Sequence, residues 1–83
     1  MQLKLSIKQI KGLQEKHGIA NLLQPSAEDA TKVANAGFLV DFYFEGSRKL
    51  ENAPSIEEIE DMDVAELIGA YQGYFKQAVG GNG

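Results

Sequence analysis

With 83 residues there is room for one domain, and a chain this short buries a smaller share of its surface than a longer one does. The absence of cysteine and the presence of a single histidine exclude a disulfide framework and a structural zinc site, so helix packing or association with another chain has to stabilise the fold. A net charge of -4 argues against a nucleic-acid binder, whose phosphate contacts need Lys and Arg clustered on one face.

In chain order, Met1-Gln2-Leu3-Lys4-Leu5 lacks the apolar run of a secretory signal, and no later stretch is long enough for a membrane span; a cytoplasmic location is expected. Ser6 with Gln9 three residues on forms a capping box, and Ile7, Ile10 and Leu13 follow at helical spacing. Gly18 stands where a C-cap glycine belongs, so the first helix is read over residues 7–17. Residues 19–23, stopped by Pro25, are expected to form one helical turn that tucks Leu22 and Leu23 into the core.

Ser26 and Asp29 open the longest predicted helix, 27–45, which meets no proline before Gly46. Its second half, Phe38-Leu39-Val40-Asp41-Phe42-Tyr43-Phe44, is apolar round most of its circumference and has to be covered on several sides, as a central element or as an interface. Aromatic and β-branched residues make a strand the competing assignment there. The three- and four-residue steps from Val33 through Gly37 and Val40 to Phe44 decide for a helix. A polar loop from Gly46 to Pro54 leads to two further capping boxes, Ser55 with Glu58 and Asp63 with Glu66, which place helices at 56–62 and 64–79. In the last of these Val64, Leu67, Ile68, Tyr71, Tyr74, Phe75 and Ala78 make a single apolar stripe. The expected architecture is therefore all-α, a bundle of about four helices over residues 1–79, with Gly80-Gly81-Asn82-Gly83 as a flexible tail.

Charge is unevenly placed. Residues 1–17 hold Lys4, Lys8, Lys11 and Lys16 against Glu15 alone, whereas residues 51–66 hold Glu51, Glu57, Glu58, Glu60, Asp61, Asp63 and Glu66 with no base. Such runs serve either as solvated helix faces or as complementary surfaces of neighbouring subunits. The interior glycines raise a similar pair of readings. Gly12, Gly37, Gly69 and Gly73 each cost about 0.8–1 kcal/mol of helix propensity relative to Ala. Either they allow close packing within the monomer, or Gly69 and Gly73, opposite the apolar stripe, let a partner helix approach.

The sequence offers no catalytic constellation. Ser6, Ser26 and Ser55 are accounted for as caps, His17 sits where an imidazole serves the end of a helix, and the acids of 57–63 lack the alternating ligands and central glycine of a calcium loop. No cofactor is expected, and the chain reads as a non-enzymatic interaction module. Phe38, Phe42, Tyr43 and Tyr74 are the aromatic candidates for partner contact, although aromatic residues energise cores and interfaces alike.

The order of these elements resembles the small tail assembly chaperones of long-tailed bacteriophages and prophages. The likeness is carried by Leu5-Ser6-Ile7-Lys8-Gln9-Ile10-Lys11, Leu13-Gln14-Glu15-Lys16, Asn21-Leu22-Leu23, and Pro54-Ser55-Ile56-Glu57-Glu58-Ile59-Glu60-Asp61-Met62 ahead of the closing amphipathic helix. The resemblance implies a protein of the host cytoplasm that binds the tape measure protein during tail assembly and helps recruit tail tube subunits, without performing chemistry. It also implies a longer form made by programmed frameshifting, for which Gly81-Asn82 admits a slippery codon pair. Two other readings stand beside it: a structural or homo-oligomer-forming phage protein, and a small acidic regulatory or inhibitory binder.

Overall fold

The computed structural model describes residues 3–78. The fold is all-α, and among those residues there are five helices: α1 Ile7–His17, α2 Ala27–Val33, α3 Ala36–Ser47, α4 Ile56–Glu60 and α5 Val64–Ala78. The glycine-rich stretch 80–83, expected as a flexible tail, lies outside the described residues, as does residue 79 of the last predicted helix.

The starts of α1 and α4 follow the sequence signals closely. Ser6 accepts the Gln9 amide while the Gln9 side chain accepts the Ser6 amide, and Ser55 and Glu58 repeat the arrangement. Gly18 ends α1 at φ 68°, a left-handed conformation that a glycine adopts without steric penalty. Asp63 caps α5 by accepting the Ala65 amide at 2.8 Å, in place of the full box expected with Glu66.

The single helix expected over 27–45 is in fact two. At Ala34 the backbone leaves the helical region (φ -82°, ψ 55°), and Asn35 restarts it, its side-chain oxygen accepting the amides of Gly37 and Phe38. Asparagine among the best N-caps supplies the competing hydrogen bonds that make the break favourable. The break lets α2 and α3 run in separate directions, which one straight helix cannot do.

The helical turn expected at 19–23 does not form either. Its amide donors are taken by side chains from elsewhere: Asp29 accepts from Ala20 and Asn21, and Gln14 accepts from Leu22 at 2.8 Å. Leu22 is fully buried as expected, but Leu23 is exposed.

The aromatic helix α3 is the hub of the fold. The other helices α1, α2, α4 and α5 each pack chiefly against it, which explains why its sequence is apolar nearly all round. The core contains Ile10 and Leu13 of α1, Leu22 of the loop after it, Phe38, Leu39, Phe42 and Tyr43 of α3, Ile59 of α4 and Leu67 of α5. Phe42 is its aromatic centre, with the rings of Phe38, Tyr71, Tyr74 and Phe75 at centroid distances of 5.9, 5.1, 5.7 and 5.7 Å. The segment before α1 straps across the end of α3. Lys4 donates its amide to the Gly46 carbonyl at 2.8 Å, the Tyr74 hydroxyl donates to the Leu5 carbonyl at 3.3 Å, and Leu3 is buried against Gly46. No helix among the described residues is long and apolar enough to cross a membrane.

Candidate functional site

His17, Asp29, Asp41 and the four serines are engaged in holding the fold. Asp41 of α3 accepts from Lys16 and from His17 Nε2, each at 2.9 Å, and the His17 ring stands edge-on to Phe38 at 5.2 Å. Burial acts to raise the Asp41 pKa, but the hydrogen bonds and positive charge of Lys16 and His17 outweigh it and hold the carboxyl below its ordinary value. The pair is a histidine–carboxylate dyad whose other partner is a lysine, not a hydroxyl.

Asp29 plays a comparable part between α2 and the preceding loop. The Ala20 amide lowers its pKa, burial opposes this, and the Asn21 and Ser26 amides with the charge of Lys32 add to the lowering. Lys32 also reaches across to the Gly18 carbonyl, 2.6 Å away. The oxygens of Ser6, Ser26 and Ser55 accept helix-start amides, and the buried Ser47 donates to the Phe44 carbonyl. Among the described residues no group of three or more His, Asp or Glu side chains comes together in a way that holds a metal ion.

The aromatic candidates for partner contact divide. Phe38, Phe42 and Tyr43 are core residues, and their surface is spent on other elements of the same chain. Tyr74 is half-buried, with its ring against Phe42 and Phe75 and its hydroxyl on Leu5. Gly69 and Gly73 are exposed, and a Cβ at either position meets nothing within 4 Å. Close packing within the monomer therefore does not explain them, nor does it explain Gly12, which is equally open. The glycine that close packing does require is Gly46, where an added Cβ comes within 2.8 Å of the Leu3 Cβ.

The apolar surface left uncovered lies elsewhere. The stripe on α5 is buried at Leu67 and packed at Tyr71, Tyr74 and Phe75, but Val64 is 55% exposed and Ile68, one turn on, 39%. Val64 and, from α4, the 37% exposed Ile56 line a groove of about 440 Å³ between α3, α4 and α5, and Ile68 follows one turn beyond Val64. Leu39, Val40, Met62 and Leu67 complete its apolar lining, Ala36 and Gly37 contribute small residues, and Asp41 and Glu60 supply its charge. Glu57, Glu58, Asp61, Asp63 and Glu66 are all exposed on the same two helices and the turn between them.

The sequence signal for this groove is weak, because Ile56, Val64 and Ile68 have the spacing of core residues and only the tertiary arrangement leaves them bare. The arrangement can accept an apolar strip of another polypeptide and present carboxylates to that partner's flanking bases. No protein-family model, curated protein or solved structure matches the chain.

Proposed function

We propose that this chain works as a non-enzymatic assembly chaperone of phage tail morphogenesis. In this reading the α3–α4–α5 groove holds amphipathic helical segments of the tape measure protein in solution and helps bring tail tube subunits to them. The observation that carries the reading is the exposed pair Ile56 and Val64 lining an apolar groove, with exposed Ile68 one turn beyond Val64 and carboxylates around them on α4 and α5. A helix laid in a groove uses apolar anchors at three- and four-residue steps, and the acidic border selects partners whose flanking positions carry Lys or Arg. The family resemblance supplies the identity of the partner, and the bare outer side of α5 at Gly69 and Gly73 offers it a second place of close approach.

Co-expression tests the proposal. The tape measure protein made with this chain is expected in the soluble fraction and to co-purify with it. A tape measure protein that is equally soluble without the chain, and does not bind it, contradicts the reading.

A further inference from the structure

The side of the molecule that carries α1 is the electrostatic opposite of the α4–α5 groove. Four of the eight Lys and Arg residues, Lys8, Lys16, Arg48 and Lys49, line a second groove of about 690 Å³ between α1 and α3. Its two carboxylates are already engaged, Asp41 with Lys16 at 2.9 Å and Glu45 with Arg48 at 3.3 Å. Lys8 and Lys49 have no ion-pair partner among the described residues, which leaves the groove with surplus positive charge.

The complementary charge exists in the same chain but does not pair with it. Glu51, Glu57, Glu58, Glu60, Asp61, Asp63 and Glu66 are exposed, and none forms an ion pair among the described residues. No principal helix contact joins α1 to α4 or α5, because each packs on α3 instead. Both surfaces also have uncovered apolar side chains beside them. Ile7, 64% exposed, lies on the adjoining face of α1 with Lys8 and Lys11, and Ile56 and Val64 flank the acidic turn.

We infer that copies of this chain associate head to tail, the acidic α4–α5 turn of one copy seated in the basic α1–α3 groove of the next. The surfaces that meet differ, so the contact is heterologous and repeats into a ring or a chain instead of stopping at a symmetric dimer. The tail shares Ile56, Glu60 and Val64 with the α3–α4–α5 groove, so a neighbouring copy and a bound polypeptide compete for that surface, and the self-association is tested without the polypeptide present.

Charge reversal tests it. The variant pair Lys8→Glu/Lys49→Glu reverses the head, and Glu60→Lys/Asp61→Lys reverses the tail. All four residues are exposed; acid at Lys8 in the first turn of α1 and base at Glu60 and Asp61, which close α4, agree with the helix dipoles, while acid at Lys49, beyond the C-cap of α3, opposes that dipole only at a solvated, screened position, and circular dichroism melts verify that each variant folds. Sedimentation velocity of the wild-type chain should show concentration-dependent multimers that weaken tenfold or more between about 0.1 and 1 M salt, as the Debye length falls from about 10 to 3 Å. Each reversed variant should be monomeric at low salt, and an equimolar mixture of the two should associate again, because every head then finds a tail of opposite charge. A wild-type monomer at low salt overturns the inference. So do multimers indifferent to salt and to both reversals, or variants that stay monomeric when mixed.

Discussion

Gln9 closes the α1 capping box with its amide oxygen and ties α1 to α3 with its amide nitrogen, which donates to the Glu45 carbonyl at 2.9 Å and to the Glu45 carboxylate at 3.1 Å. Glutamate completes a capping box equally well but cannot donate, and here it sets two carboxylates against each other. Gln9→Glu should therefore destabilise the fold by about 1–3 kcal/mol, the cost of an unsatisfied and repelled polar group, and chemical denaturation will read it. An unchanged midpoint contradicts the double role. Gly46→Ala sets two effects in opposition. Helix propensity favours alanine by about 1 kcal/mol. The new Cβ, however, lands 2.8 Å from the Leu3 Cβ, and overpacking of this kind costs about 1–3 kcal/mol. We expect a net loss of stability, with a lower melting temperature as the readout. The box at Gln9 was legible in the sequence as a spacing. Its bond to Glu45, and the need for glycine at 46, were not, because both depend on what lies 36 or more residues away in the chain.

At the scale of elements, local chemistry carried most of the prediction. Ser6, Gly18 and Ser55 mark helix ends through hydrogen bonds to near neighbours, so their pattern survives in the sequence. The break at Asn35 had a local signal too, an asparagine two residues before Gly37, but the apolar steps from Val33 to Phe44 run across it and conceal it. The residues at 19–23 failed for the opposite reason, since Asp29 and Gln14 take their amides from outside the segment. On α5, Gly69 and Gly73 have open space where a Cβ would go. Gly69→Ala with Gly73→Ala should add about 0.8–1 kcal/mol per site and raise the melting temperature by about 4–8 °C per kcal/mol. If these glycines admit a partner helix, the same double variant binds that partner more weakly; undiminished binding removes them from the contact surface.

Across the whole molecule, α3 serves as a shared floor for four other helices, and the two charged surfaces stand on different elements around it. Two carboxylates tie parts of the fold together, half-buried Asp41 joining α3 to α1 and buried Asp29 joining α2 to the loop before it. Both Asp29 and Asp41 have pKa values below the ordinary value, so the folded state binds fewer protons than the unfolded chain as the pH falls. Their stabilisation is present in full above the unfolded carboxylate pKa of about 3.9 and is lost as the pH drops through the folded values. The melting temperature should hold from pH 7 to about pH 5 on their account and fall below about pH 4, with a shallower fall in Asp41→Asn. A flat profile down to pH 2 contradicts this. The α3–α4–α5 groove was the least legible feature. A sequence records that Ile56, Val64 and Ile68 are apolar, while only the packing of α3, α4 and α5 determines that they remain bare.

The central claim, that this bare strip binds the tape measure protein, is tested most directly by repeating the co-expression with Val64→Asp/Ile68→Asp. Both positions are exposed, so the variant should keep its helical circular dichroism and its melting temperature. It should nonetheless fail to retain the tape measure protein in solution, with co-purified partner reduced tenfold or more, equivalent to at least about 1.4 kcal/mol of binding. A folded variant that holds its partner as well as the wild type contradicts the account.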